Sequence, residues 1–290
     1  MNAVRGSDRY VSTCPVGCGA DFEGTEIRLP EGRLLRCRVC GQLVSQIGEA
    51  AYRASPPAVD APGRYLPDER ESDRRMENTI RRLTRLCELL GKPALGLRLL
   101  DVGCARGDFV AAAETLGFDA EGVEPVLEVA EAGQAAGRRV HAGQLEDQHF
   151  AAGSFDAATL FGLIDCLREP IPLLREIHRI LKPRGVLLLS TGNGASWTAR
   201  MIKQDWDYFQ TQAYPRHISF FNPRSLTLAA QRAGFSVAHL HTARVRLVAK
   251  GAVSRRVYAL GKLAAEMLSF PARLLGKGHD IIAYLRREET

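Results

Sequence analysis

The chain has 290 residues, 39 Lys and Arg against 33 Asp and Glu, a formal charge of +6, 46% hydrophobic residues and 25% charged residues. That length accommodates one sizeable domain and a small accessory one, and the mix of apolar and charged residues excludes wholesale disorder. No stretch approaches the roughly 18 apolar residues that span a bilayer, and the opening MNAVRGSDRY lacks the apolar segment of a secretory leader, so a cytoplasmic location is expected.

The seven cysteines are odd in number and, in a reducing compartment, are expected as free thiols rather than a disulfide framework. Four of them open the chain as Cys14-x3-Cys18, eighteen residues, then Cys37-x2-Cys40. Two short-range pairs of soft thiolates build the closed tetrahedral site of a zinc ribbon, and Gly17, Gly19 and Gly41 permit the tight turns around it. Four thiolates leave no open coordination position, so the expected zinc is structural and lets residues 1–50 fold without a large core.

Residues 51–68 are rich in Pro and Ala without periodicity and read as a linker. Met76, Ile80, Leu83, Cys87 and Leu90 then form one apolar helical stripe that ends at Gly91 and Pro93. From there short apolar runs (97–102, 119–123, 155–161, 186–191) alternate with amphipathic segments (109–116, 126–136, 171–181). This is the rhythm of a doubly wound parallel sheet. Residues 192–221 are rich in aromatics, including Trp206, Tyr208, Phe209 and Tyr214. A helix at 223–233, a strand at 235–240, an irregular piece at 251–275 and a strand at 280–285 complete the pattern.

The segment LLDVGCARGDF, 99–109, places an apolar strand before a turn containing Gly103, Ala105 and Gly107 and then opens a helix. Such a turn lets backbone approach a ligand and aims helix N-terminal amides at it. Asp101 ends that strand, and Glu124 ends the next, where an acid can accept from both hydroxyls of a ribose.

Together with GVEP (122–125), AGQLEDQHFAAGSFD (142–156) and LLREIHRILKPRGVLLLSTGN (173–193), this segment makes residues 75–290 resemble the class I S-adenosylmethionine-dependent methyltransferases. The cysteine module makes the resemblance one to members with an N-terminal zinc ribbon, of the small-molecule and sugar-pathway type. It implies an α/β fold with a doubly wound, seven-stranded Rossmann-like sheet in residues 69–290, carrying cap insertions near 192–221 and 251–275. S-Adenosylmethionine is the implied cofactor. Asp101 and the turn of Gly103, Cys104, Ala105 and Gly107 would hold its methionine portion, and Glu124 its ribose. The side chain of Gln144 and the backbone amide of Leu145 would flank the adenine, and Phe161 would line the sulfonium end. The chain departs from the pattern in two places: Gln144 stands where Asp is commoner, and Ala105 replaces the middle Gly, which suits Ala only at negative φ.

Methyl transfer from a sulfonium is an in-line displacement, so the remaining tasks are to align the acceptor and remove its proton. Many relatives carry Glu-His after the fourth strand, where this chain has Asp165 and Cys166. Cys166 has no paired base in the sequence and reads as a buried thiol. His217, in AYPRHISFFNPRSL, resembles the "H…F…SL" block of small-molecule members and is the candidate base or acceptor-positioning residue. The alternative is that it hydrogen-bonds backbone to fix its own loop. Asp165 is the second catalytic candidate, as a ligand for an acceptor hydroxyl.

Residues 241–290 hold ten bases and four acids, which leaves the rest of the chain neutral. Val253, Val257, Leu260, Ala264 and Met267 recur there at helical spacing, so a basic amphipathic helix is expected. It reads as a lid, as a peripheral membrane contact or as a solvated face. Residues 1–50 carry six Arg and six acids, which lacks the basic footprint of a nucleic-acid partner. The function expected is methyl transfer to a small-molecule or carrier-linked sugar or secondary-metabolite acceptor. The alternatives are a ribosomal RNA base methyltransferase and a non-catalytic, cofactor- or partner-binding relative.

Overall fold

The computed structural model describes residues 9–55, 69–209, 216–247 and 255–289. The N-terminal cysteines frame a small antiparallel hairpin of β1 (Phe22–Leu29) and β2 (Gly32–Cys37), extended by β3 (Leu43–Val44) and followed by the short helix α1 (Glu49–Arg53). Helix α2 (Glu69–Leu90) leads into β4 (Arg98–Val102), α3 (Asp108–Thr115), β5 (Asp119–Glu124), α4 (Leu127–Ala135), β6 (Val140–Ala142) and β7 (Phe155–Phe161). Then come α5 (Pro170–Ile180), β8 (Leu181–Gly192), α6 (Trp197–Ile202), β9 (Ser219–Phe220), α7 (Pro223–Arg232), β10 (Phe235–Ala243), α8 (Arg255–Leu274) and β11 (Asp280–Arg287).

Seven strands form the large sheet in the order β10-β11-β8-β7-β4-β5-β6. Strands β6, β5, β4, β7 and β8 pair in parallel, while β11 is antiparallel to both β8 and β10. The doubly wound, seven-stranded fold expected from the sequence is therefore present. Its central strands read as continuous apolar runs because helices cover both faces. Leu99, Leu100, Ala157, Ala158, Leu187 and Leu189 are buried, against Leu83 and Leu86 of α2 on one face and Leu174 and Ile177 of α5 on the other.

The sequence pattern carries no signal for β6, whose three residues are too few to show a period. It also starts β8 five residues late: Leu181 already pairs with Phe155, and a register shift carries the intervening Lys-Pro-Arg-Gly past the ladder.

Three boundaries differ from the expected ones. The cysteine module is not confined to residues 1–50, because β9 completes its sheet through Leu43↔Phe220 and Val44↔Ser219. The linker expected at 51–68 begins with the end of α1, where Tyr52 is buried, and residues 56–68 lie outside the described ones. The span 251–275, expected as an irregular piece along the chain and as a basic amphipathic helix from its apolar spacing, is a helix from Arg255 to Leu274, with 251–254 outside the described residues.

That helix packs through Ala265 and Ala272, with Val245 beside them, whereas Leu260, Leu263, Met267, Phe270 and Leu274 remain exposed. The apolar stripe expected from the spacing therefore points outward at Leu260 and Met267. Among the described residues, no helix is long and apolar enough to cross a membrane.

Candidate active site

β4 ends in a turn through Gly103 (φ 73°), Cys104, Ala105 (φ 49°) and Gly107 (φ 74°). A Cβ at Gly103 would lie 2.9 Å from Leu163 Cδ2, and one at Gly107 would lie 2.9 Å from Val140 Cγ2, so both positions exclude side chains. The negative φ required of Ala105 is not what the fold provides. Ala105 is held in the left-handed region by its own amide, which donates to Glu124 Oε2 at 3.0 Å. Such a conformation costs about 1 kcal/mol in a residue with a Cβ.

The turn's amides are also not free for a ligand. Those of Gly103 and Cys104 donate to the Val123 carbonyl at 2.9 and 3.1 Å, and that of Gly107 donates to the Cys104 carbonyl at 2.9 Å. The Cys104 side chain packs inward over Gly122, and burial raises its thiol pKa. What this turn offers a ligand is the pair of acids at its edges, Asp101 and Glu124, while Gly103 and Gly107 pack closely on Leu163 and Val140.

Asp101 is buried, accepts from Thr159 Oγ1 at 2.6 Å, and is pushed up to about 7 by burial, with Glu124 adding to the shift and the Thr159 hydroxyl opposing it. Glu124 is also buried and also raised by burial, while the amides of Val126 and Ala105 pull it back. Neither acid has a cationic partner among the described residues. Two buried carboxylates without a cation fit a ligand that brings positive charge and hydroxyl donors, as S-adenosylmethionine does. Leu145 is buried and Gln144 exposed on the turn after β6. Phe161, at the end of β7, meets Phe109 edge-on at 4.9 Å and carries the Arg82 guanidinium 5.3 Å over its ring.

Beyond β7 the chain makes a single turn, Ile164–Cys166, which buries Asp165 with neither carboxylate oxygen hydrogen-bonded. His217 Nε2 stands 3.6 Å from Asp165 Oδ2, and its Nδ1 is 3.1 Å from the Tyr208 carbonyl. A carbonyl can only accept, so this contact fixes the proton on Nδ1 and leaves the Nε2 lone pair facing Asp165. The structure thus brings together the two catalytic candidates, which lie far apart in sequence, and it also contains the backbone contact of the alternative reading. Cys166 is buried beside them, and one donor atom from each of Asp165, Cys166 and His217 falls within 4.8 Å of the others.

The Tyr208 ring stacks on His217 at 5.3 Å, and its hydroxyl donates to Asp280 Oδ1 at 3.2 Å. Gly192 makes room for that ring, since a Cβ there would lie 2.7 Å from it. Of the other aromatics, Trp206 and Phe209 pack with Leu29, Leu34 and Phe220 as core under the cysteine module, and Tyr214 is outside the described residues.

Sequence reasoning missed Asp280, which binds Arg244 at 2.8 Å, and His279, which accepts from Trp206 Nε1 at 3.2 Å. The Gly276-Lys277-Gly278 turn ahead of the last strand was the available signal for both.

The four cysteines meet as expected from their spacing, with all four Sγ atoms within 4.8 Å of one another. Cys14, Cys37 and Cys40 are buried. The turns are closed by Gly17 N–H to the Cys14 carbonyl at 2.7 Å and by Gly41 N–H to the Cys37 carbonyl at 2.9 Å. A hydrogen bond from Cys40, its Sγ 3.6 Å away, holds the Cys14 thiol down at about 5. A closed set of four soft donors, three of them buried, fits a structural zinc.

The module also grips the segment that carries His217 and the turn that carries Asp165. Ser45 N–H donates to the Ile218 carbonyl at 2.8 Å, Arg216 pairs with Glu31 at 3.1 Å, and the Tyr52 hydroxyl donates to the Cys166 carbonyl at 3.2 Å.

A family profile described as a methyltransferase domain matches residues 72–240. Two ubiquinone biosynthesis O-methyltransferases are similar in sequence. The one from Paraburkholderia phymatum is 28% identical over 163 residues, covering 50% of this chain and 67% of that protein. The one from Xanthomonas axonopodis pv. citri is 27% identical over 162 residues, covering 49% and 64%. Among solved structures, an S-adenosylmethionine-dependent methyltransferase from Mesorhizobium loti superposes with a TM-score of 0.50 at 19% identity, over 70% of this chain and 96% of that one. One from Archaeoglobus fulgidus gives 0.50 at 18% identity, over 73% and 94%.

Proposed function

The chain belongs to the methyltransferase-domain family, with the fold of class I S-adenosylmethionine-dependent methyltransferases, and from that premise we propose that it methylates a small-molecule or carrier-linked acceptor, with His217 taking the acceptor's proton. The observation that carries this reading is the buried Asp165 carboxylate, without a hydrogen-bond donor, facing His217 Nε2 at 3.6 Å. A carboxylate in that position can receive the N–H that an imidazole acquires when it acts as a general base.

S-Adenosylmethionine, when bound, supplies an electrophilic methyl group on a sulfonium. Asp101 and Glu124 would hold it beside the turn from Gly103 to Gly107, with Phe161 closing its reactive end. His217 Nε2 would take the O–H, N–H or C–H proton of an acceptor whose electron pair faces that methyl group. The imidazolium then rests between the Tyr208 carbonyl and Asp165, while the stacked Tyr208 ring keeps water from its face.

A structural zinc on Cys14, Cys18, Cys37 and Cys40 belongs to the same reading, supported by the closed thiol set. Its role would be to hold the module that grips residues 216–220. A cytoplasmic location is part of it too, because the thiols must stay reduced to bind metal.

The test is transfer of label from methyl-labelled S-adenosylmethionine into cell extract, followed by separation of small molecules, lipids and RNA. Label in the small-molecule or lipid fraction supports the reading. Label confined to RNA, or no transfer by a protein that binds S-adenosylhomocysteine, overturns it. His217→Asn is expected to lower turnover by about a hundredfold with S-adenosylhomocysteine binding unchanged. Unchanged turnover would remove His217 from the mechanism.

A further inference from the structure

A cavity of about 840 Å³ lies between α2, α8 and the β10–β11 edge of the large sheet. Five arginines, Arg81, Arg82, Arg85, Arg244 and Arg273, line it with a single glutamate, Glu266. Arg85 is balanced by Glu88 at 2.7 Å and Arg244 by Asp280 at 2.8 Å. Arg81, Arg82 and Arg273 have no carboxylate partner among the described residues.

Arg82 is the informative one: it is half-buried, its guanidinium lies 5.3 Å over the Phe161 ring and within the field of the Asp280 carboxylate, and that guanidinium has no hydrogen bond or ion pair among the described residues. A desolvated guanidinium with unused donors is costly unless an anion completes it. His241 also lines the cavity, and its buried Nδ1 has no partner. Burial and the surrounding arginines push this imidazole down to about 4, so it stays neutral and able to donate or accept a hydrogen bond.

The cavity is joined to the methyl-transfer site at two points. Arg82 bridges it to Phe161, and Arg244 reaches the site through Asp280 and the Tyr208 hydroxyl, whose ring stacks on His217. An acceptor whose reactive atom faces His217 would extend its remaining bulk into this space. The volume suits a group of nucleotide size, and several guanidinium forks around one void match phosphate oxygens better than one carboxylate.

We propose that this cavity holds a phosphate or diphosphate group of the acceptor, so that the substrate of the site described above is a phosphate ester rather than a neutral metabolite. The inference rests on the methyltransferase reading for the acceptor's identity, but the anion site itself is measurable without turnover. Nucleotide-linked and lipid-linked acceptors share this chemistry.

The experiment is calorimetry on the full chain with inorganic pyrophosphate, with a panel of nucleoside diphosphates, and with phosphatidylcholine vesicles containing phosphatidic acid, each at low and high salt. S-Adenosylhomocysteine is titrated in parallel. Arg82→Gln and, on the exposed rim, Arg273→Gln are compared with the unaltered protein. Salt-sensitive binding of pyrophosphate or a nucleotide, weakened about tenfold by either variant with S-adenosylhomocysteine affinity preserved, is the expected result and assigns a soluble carrier. Binding confined to the phosphatidic acid vesicles, with the same arginine dependence, supports the same site with a lipid carrier. Absence of binding to all three, or binding left unchanged by both variants, overturns the proposal. Failure of S-adenosylhomocysteine to bind the unaltered protein would instead count against the methyltransferase reading.

Discussion

Glu31, at the tip of the cysteine module's hairpin, holds Arg216 at 3.1 Å, one residue before His217. Both side chains are only 12% exposed, and Ser45 Oγ donates to the other Glu31 oxygen at 2.5 Å. The pair belongs to a brace that also includes the β3–β9 ladder and the hydrogen bond from Ser45 N–H to the Ile218 carbonyl. Glu31→Ala is expected to cost about 1–3 kcal/mol of stability, because Arg216 is left poorly solvated. It should lower kcat about tenfold while the KM for S-adenosylmethionine stays near that of the unaltered enzyme. Steady-state kinetics beside urea unfolding provide the check. A raised KM for S-adenosylmethionine with normal kcat would show that Glu31 does not act through His217.

The same brace predicts what metal removal does. The purified protein is expected to carry about one zinc per chain by elemental analysis. Stripping it with a chelator should loosen Cys37 and Cys40, which flank the turn into β3, and with them the pairing of Leu43 and Val44 to β9. Turnover is then expected to collapse while S-adenosylhomocysteine binding persists, because Asp101 and Glu124 stand on strands of the other sheet. A metal-free preparation with four intact thiols and full activity would refute both the zinc and its proposed role.

Asp101 sets a pH dependence whose sign follows from its burial. The carboxyl is pushed up to about 7 in the folded protein, against an ordinary value near 3.9 when unfolded. Between pH about 4 and 7 the folded state therefore keeps a proton that the unfolded state has released. Stability falls as pH rises through that window, by up to a few kcal/mol. Asp101→Asn cannot ionise, so its unfolding midpoint in urea should be flatter over pH 5–8 and should exceed that of the unaltered protein at pH 8. Its affinity for S-adenosylhomocysteine should fall. Parallel pH slopes for the two proteins would exclude Asp101 as the source.

The large sheet is legible in the sequence because its strands are apolar runs and its crossovers are amphipathic helices, both with periods a sequence displays. The apolar run 155–161 coincides with β7, and the amphipathic segment 171–181 differs from α5 by one residue at each end. Asp101, Glu124 and the cysteine quartet are visible for a different reason: each depends on local spacing within one turn or one strand end. Local spacing leaves open whether Asp165 meets His217, since that depends on how more than fifty residues, through α5, β8 and α6, fold back. Residues that act across the interface, such as Glu31 and Tyr52, carry no local signal at all. Their partners lie 185 and 114 positions away along the chain. The arginine cavity is hidden similarly, because α2, α8 and the residue just after β10 each contribute only part of its charge.

Ala105 provides a last test, since here the fold overrides the preference of the residue. Its φ of 49° is stabilised by the bond from its amide to Glu124 Oε2, so the strain is coupled to the acid proposed to hold the ribose. Ala105→Gly removes the Cβ clash of the left-handed region, about 1–2 kcal/mol, but adds unfolded-state entropy worth about 0.5–1 kcal/mol. The variant is therefore expected to be more stable by about 0.5–1 kcal/mol in urea unfolding. Ala105→Val, with a branched Cβ in the same conformation, should lose about 1–3 kcal/mol and weaken S-adenosylhomocysteine binding by displacing Glu124. If glycine destabilised the protein instead, the Ala105 methyl group would have to make a packing contact that outweighs its backbone strain.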